Sequence, residues 1–140
     1  MNNKGFTLVE LLAVISIIAI LSIIAVPNVV SVIDNNKKDQ MLSDAKKLIS
    51  QAKYQVTMDK TIRQSGNYKF TFTTLNKTGD IGLDPDGGNY STGSYVTYTL
   101  VESSPKYCIH LESSRRVIGP NNTCIDEVNI ESRTIVKDLK

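Results

Sequence analysis

The 140-residue chain (15.5 kDa) has the size of one domain with at most an appendage. Its 41% apolar and 21% charged residues exclude a disordered chain. A net charge of +2 excludes an arm that holds nucleic acid by charge alone, and one histidine (His110) with two cysteines excludes a His-rich metal site, a four-cysteine zinc site and a disulfide-dense mini-protein.

The averages conceal an asymmetry. Residues 11–33 carry no charge, and every Lys and Arg except Lys4 lies beyond them. From Phe6 to Val26 the single charge is Glu10, and the polar groups are Thr7, Ser16 and Ser22. At ~1.5 Å per residue these residues make a helix of about 31 Å, against a hydrocarbon core of about 30 Å. Three readings compete. A cleaved secretory signal suits Lys4, but the apolar run exceeds the usual ~7–15 residues and lacks a small-x-small cleavage site. A plain signal anchor must carry Glu10, at an insertion cost of roughly 2.5–3.5 kcal/mol at membrane centre. That cost is lower near the segment's end, where a carboxylate in the first turn also meets the positive helix terminus.

The third reading takes the constellation together. Gly5-Phe6-Thr7-Leu8-Val9-Glu10, followed by the apolar run, resembles the N-terminus of type IV prepilins and pseudopilins. The leader is short and contains Lys4, the residue after the Gly is Phe, and Glu is the fifth residue after that Gly. Pro27 falls where many members carry a proline. The resemblance is close over residues 1–33 and holds elsewhere only in layout. It implies cutting between Gly5 and Phe6 by a membrane-embedded aspartyl peptidase, which also N-methylates the new Phe6 amine. Gly5 suits such a cut, since a residue without Cβ exposes the backbone and breaks a helix. The resemblance implies further that Glu10 of one subunit meets the Phe6 amine of its neighbour. An unpaired carboxylate is costly in apolar surroundings, and apolar helices gain little by leaving lipid for one another, so a polar pair can set register. Ala19 stands where many relatives have glycine. Pro27 removes one helical hydrogen bond and predicts a kink or local loss of helix.

Beyond Ile33, the polar run 34–39 leaves the membrane, with Asp34 and Asn35 able to cap or bend a helix. Leu42, Ala45, Ile49, Ala52 and Val56 then recur at helical spacing, widened by Met41 and Leu48, and predict an amphipathic helix that fades near Arg63 to Gly66. Lys46, Lys47, Lys53 and Lys60, with Asp39, Asp44 and Asp59, read as its solvated faces. From Asn67 the period becomes 2, with Tyr68, Phe70 and Phe72 alternating with polar residues. Segments 95–102 and 106–113 read as strands joined through Ser103-Ser104-Pro105, residues 115–118 as a further short strand, and residues 123–136 as one or two strands or a turn of helix. The expectation is an antiparallel sheet of three to four strands packed on the 41–60 stripe. Residues 78–93 hold five of the eight glycines and read as irregular.

Cys108 and Cys124 read as a disulfide if this part lies outside the membrane, closing a loop worth about 3 kcal/mol, or otherwise as two buried thiols. Some pilins carry such a C-terminal loop. Cys108-x-His110 places a thiol and an imidazole on one strand face without a third partner. Asp80, Asp84, Asp86 and Asn89 offer oxygen ligands for Ca²⁺ on the weak side of an Asp-Pro-Asp-Gly turn, without the later glutamate of an EF-hand. Arg115, Arg116, Arg133, Lys137 and Lys140 form a candidate basic patch, although residues 66–140 hold 8 basic and 9 acidic residues, which speaks against nucleic acid.

The fold expected is α+β, a type IV pilin fold: leader 1–5, membrane or filament-core helix 6–33, amphipathic helix 34–65 and antiparallel β head 66–140. The resemblance implies a non-enzymatic filament subunit without cofactor. Before assembly it would be stored as a single span in the cytoplasmic membrane, and afterwards it would reach the cell surface. Its implied partners are itself and sibling pilins, a prepilin peptidase, a platform protein and an assembly ATPase. A pseudopilin of a competence or type II secretion apparatus is the alternative within the family. A single-span anchored binding domain that never polymerises is the alternative outside it.

Overall fold

The structure, a computed structural model, describes residues 5–140, the Pro27 side chain excepted; leader residues 1–4 lie outside the described residues. The chain divides into two compact units, Met1–Asn36 and Lys37–Lys140. One helix, α1 (Leu8–Met58), contributes to both. It is helical through position 27 and through Asp34–Asn36, so neither predicted breakpoint interrupts it.

In the first unit every described side chain up to Ile33 is exposed. The few polar side chains turn back onto the helix. Ser16 Oγ donates to Leu12 O (2.7 Å), Ser22 Oγ to Ile18 O (2.7 Å) and Asn28 Nδ2 to Ile24 O (3.3 Å). These local bonds give each hydroxyl, and one amide N–H, an acceptor within its own helix.

In the second unit, α1 buries the predicted stripe: Met41, Ala45 and Ala52 are inaccessible, and Leu42, Leu48, Ile49 and Val56 nearly so. α1 itself ends at Met58, and the expected fading near Arg63 to Gly66 falls at the end of a second, short helix. Asp59 in extended conformation starts a new helix, α2 (Lys60–Ser65), by accepting from the Thr61 and Ile62 N–H groups. Gly66 closes α2 in the left-handed region (φ 68°), where glycine meets no Cβ penalty. Strand β1 (Asn67–Thr71) follows and is shorter than the alternation suggested. Thr71 caps a one-turn helix, α3 (Phe72–Leu75), by accepting from Thr74 N–H, so Phe72 leaves the strand.

After the irregular segment 76–94 come β2 (Tyr95–Val101), β3 (Ser104–Glu112), β4 (Arg116–Ile118), β5 (Ile125–Asp126) and β6 (Val136–Asp138). Among the described residues the antiparallel sheet has six strands, in the order β1-β2-β3-β4-β6 with β5 also on β3, rather than three or four. The segment after Cys124 supplies two strands and two 3₁₀ turns, Glu127–Asn129 and Arg133–Ile135. The β2–β3 hairpin turns one residue earlier than expected. Glu102 (φ 49°) and Ser103 (φ 67°) form the two-residue connection, and Pro105 lies inside β3 opposite Leu100. Both connecting residues have positive φ, the geometry of a type I′ turn, without the Asn-Gly that usually marks one.

Phe70, Val96 and Ile109 stand in register across β1, β2 and β3 on the buried face, beside Tyr98 and Tyr107. They form one core with the helix stripe. Leu48→Ala removes a side chain only 2% exposed and is expected to destabilise this unit by about 2–5 kcal/mol, read by urea unfolding of the full chain in detergent.

Candidate processing and assembly site

Gly5, Phe6 and Thr7 precede the helix in irregular, exposed backbone, and Phe6 is 86% exposed. The Gly5–Phe6 peptide bond therefore lies outside any helical hydrogen-bond ladder. Among the described residues, nothing lies within 4 Å of where a Gly5 Cβ would stand, so they do not demand glycine there. Any requirement must come from whatever reads the bond.

Helix α1 opens on a reciprocal capping box. The Thr7 N–H and Thr7 Oγ1 both donate to Glu10 Oε2 (2.9 and 3.0 Å), and the Glu10 N–H donates to Thr7 Oγ1 (3.3 Å). Thr7 O accepts the first helical bond, from Leu11 N–H (3.2 Å). In the single chain the Glu10 carboxylate is thus occupied by its own helix terminus. Thr7-x-x-Glu10 before an apolar run is the capping-box signature, a local signal in the sequence that complements the helix-end and pairing roles of Glu10. The structure places Pro27 within α1, one turn beyond Ile23.

The calcium candidates do not converge. Asp80 Oδ2 accepts from Thr78 Oγ1 and Gln51 Nε2. Asp84 is 3% exposed and accepts the N–H groups of Asp86, Gly88 and Ser114 (2.8, 2.9 and 2.7 Å). Asp86 is held by Lys37 Nζ (3.0 Å) and by Arg116. Asn89 is exposed. The oxygens of Asp84 and Asp86 are taken up by internal donors, and no cluster of three metal-ligating His, Cys, Asp or Glu occurs among the described residues. For both carboxyls burial opposes the charge. The bonds from Ser114, Gly88 and Asp86 outweigh it at Asp84, and those from Lys37 and Arg116 at Asp86, and each titrates below the usual carboxylate range.

Asp44, assigned to a solvated face from sequence, is 4% exposed. It accepts from Tyr90 Oη (2.9 Å) and Lys47 Nζ (3.0 Å) because Tyr90, from the irregular segment, covers that face of α1. Burial, followed by the Asp44 charge, pushes the Tyr90 phenol above its ordinary value.

Cys108 and Cys124 form a disulfide with Cα atoms 5.4 Å apart, so the Cys108–His110 pair presents no thiol. His110 is buried, and its Nδ1 lies 2.8 Å from Gly119 O. Gly119 itself (φ 78°) admits no side chain: a Cβ would fall 2.1 Å from Thr123 O. The basic patch is dispersed. Arg116 is buried against Asp86, with Asp138 3.3 Å from its Nε, and Arg133 grips Asp39 through two bonds of 2.6 Å. Arg115, Lys137 and Lys140 remain exposed.

The chain is thus α+β, with a long N-terminal helix whose first stretch lacks protein cover and a small antiparallel sheet, consistent with the type IV pilin fold. Residues 1–26 match the family model described as the prokaryotic N-terminal methylation motif, the signature of type IV pilins and pseudopilins. That motif indicates a pilin-like, structural protein. No curated protein and no solved structure matches the chain.

Two outcomes are expected. Because Asp84 and Asp86 have lower pKa values folded than unfolded, their stabilisation is complete above the ordinary value of 3.8 and is lost as pH falls through and below it. The thermal midpoint of the full chain should decline on acidification from about pH 5, and less steeply in Asp86→Asn. Millimolar Ca²⁺ at neutral pH should leave the midpoint unchanged.

Proposed function

We propose that the chain is the structural subunit of a type IV pilus filament, cut between Gly5 and Phe6 and polymerised through its N-terminal helix. The observation that carries this reading is the apolar surface of residues 8–33, uncovered by the chain's own fold, directly behind a methylation motif whose cleavage point is non-helical and exposed. Such a surface suits lipid first and a bundle of like helices afterwards. The cytoplasmic membrane is then the store and the cell surface the destination. A prepilin peptidase, a platform protein, an assembly ATPase and sibling pilins are the partners this route requires.

Glu10 and Phe6 carry the assembly chemistry in this reading. Cleavage creates an ammonium at Phe6, four residues before Glu10 of the same chain and available to a neighbour. The Thr7 bonds keep the carboxylate satisfied in the stored subunit. Exchanging part of them for a neighbour's ammonium adds a charge-assisted pair in a low-dielectric setting. Pro27 weakens the ladder midway along the apolar stretch and lets the helix adapt when subunits pack.

Mass spectrometry of sheared surface material and of membranes from the native host tests this. A chain beginning at Phe6 and heavier by one methyl group is expected in the sheared fraction. A chain beginning at Met1, found only in membranes, would leave a signal-anchored domain instead. Short filaments confined to the envelope, with the same mature terminus, would identify a pseudopilin. Gly5→Val should block cutting, whereas Glu10→Ala should be cut normally and yield no filaments. Filaments of ordinary yield from Glu10→Ala would remove Glu10 from assembly.

A further inference from the structure

The Cys108–Cys124 disulfide joins two sulfurs with different surroundings. Cys108 sits inside β3, in register with Thr97 of β2 on one side and with Asp126 of β5 on the other. Cys124 lies in irregular backbone between the Gly119 turn and β5. Both residues are half-buried. The Thr97 hydroxyl oxygen is 2.8 Å from Cys108 Sγ and 4.0 Å from Cys124 Sγ. A disulfide sulfur carries no proton, so Thr97 is the donor, and its bond goes to Cys108.

The charges on this sheet face offset one another. Lys106 stands two positions before Cys108 on β3 and Asp126 stands opposite it, both exposed. The Lys69 ammonium is drawn over the Tyr95 ring, and His110, two positions after Cys108, turns its Nδ1 to Gly119 O. The Thr97 hydroxyl therefore sets the difference between the two sulfurs. A thiolate opens a disulfide by attacking one sulfur and expelling the other as a thiolate, at a rate that depends on how well the departing sulfur carries charge and on access to the attacked one. A hydroxyl already donating to Cys108 Sγ strengthens its bond as negative charge develops on that sulfur.

We propose that the Cys108–Cys124 bond is a polarised thiol–disulfide exchange site: an external thiolate bonds to Cys124 Sγ, the Sγ–Sγ bond breaks, and Cys108 leaves as a thiolate held by Thr97. One disulfide replaces another, so the step consumes neither oxidant nor reductant. Run in reverse, it closes the bond. A protein carrying a reactive disulfide loads Cys124 as a mixed disulfide and releases its second sulfur as a thiolate. Cys108, placed opposite Thr97 by the β2–β3 pairing, then attacks Cys124 Sγ and expels the partner's remaining thiolate, leaving that partner as a dithiol. The partner is thus a thiol–disulfide exchange protein acting on the head, and Cys124 is the residue it touches. The proposal stands independently of the filament reading.

The test uses the full oxidised chain in detergent, with reduced glutathione as the attacking thiol. The chain has two cysteines, so N-ethylmaleimide caps whichever one is freed, and peptide mass spectrometry locates both labels. Glutathione is expected on Cys124 and the maleimide on Cys108, in about tenfold excess over the reverse pattern, the order that a hydrogen bond to a charged group supplies. Thr97→Val should slow opening by about the same factor and abolish the preference, and Thr97→Ser should restore both. A merely structural role for Thr97 gives the opposite sign, since a loosened sheet opens the bond faster. Glutathione on Cys108 or equally on both sulfurs, opening as fast or faster in Thr97→Val, or no opening by glutathione at all would each overturn the proposal.

Discussion

A helix that is apolar on all sides has no stable place in water. The described side chains of residues 8–33 of α1 are all exposed in the isolated chain. Burying that surface elsewhere is the condition the rest of the N-terminal unit serves. The serine hydroxyls and the Asn28 amide bond back to their own helix, which reduces the polar groups that lipid or a neighbouring helix meets. The Thr7–Glu10 box closes the helix end where backbone N–H groups lack partners. The one carboxylate of the segment is thereby tolerated at its edge.

The globular unit solves a different problem. Segment 76–94 contributes few buried apolar residues, chiefly Ile81 and Tyr90. It is fixed instead by carboxylates turned inward: Asp84 collects backbone N–H groups, Asp86 joins Lys37 to Arg116, and Asp44 on α1 receives the Tyr90 hydroxyl. Such a network holds when every member is satisfied and fails sharply when one is lost. In this run of aspartates and glycines, the oxygens of Asp84 and Asp86 are consumed in shaping the loop.

On the sheet face opposite the core, polar and aromatic groups accumulate rather than apolar ones. The Lys69 ammonium lies 3.7 Å from the Tyr95 ring centroid, Tyr95 is 5.3 Å from the His110 ring, and the disulfide crosses from β3 to the segment that carries β5. This face can stay in water, and the disulfide ties the C-terminal third to it.

The N-terminal half was legible because its signals are local. Apolar residues on every side, a Gly-Phe junction and a glutamate at a fixed offset need no tertiary partner, and the helical stripe 41–56 follows from spacing alone. The hairpin position was not legible, since Glu102-Ser103 adopts a positive-φ turn without the usual turn residues. Phe72 left its strand because Thr71 caps a helix, a competition between two local options that only packing resolves. Asp44 reads as a solvated charge in sequence, Asp84 and Asp86 as weak cation ligands and Arg116 as part of a basic patch, yet all four side chains are buried in the fold. Asp44, Asp86 and Arg116 form ion pairs whose partners lie between 3 and 49 positions away, and Asp84 accepts backbone N–H groups. The β5 and β6 strands, two and three residues long, exist only by pairing with β3 and β4. Sequence by itself therefore determined the helix, its two chemistries and the processing motif, all set by residues a few positions apart. Tertiary structure decided which charges are buried, where the sheet ends and which surfaces remain open, because each depends on groups that only the folded chain brings together.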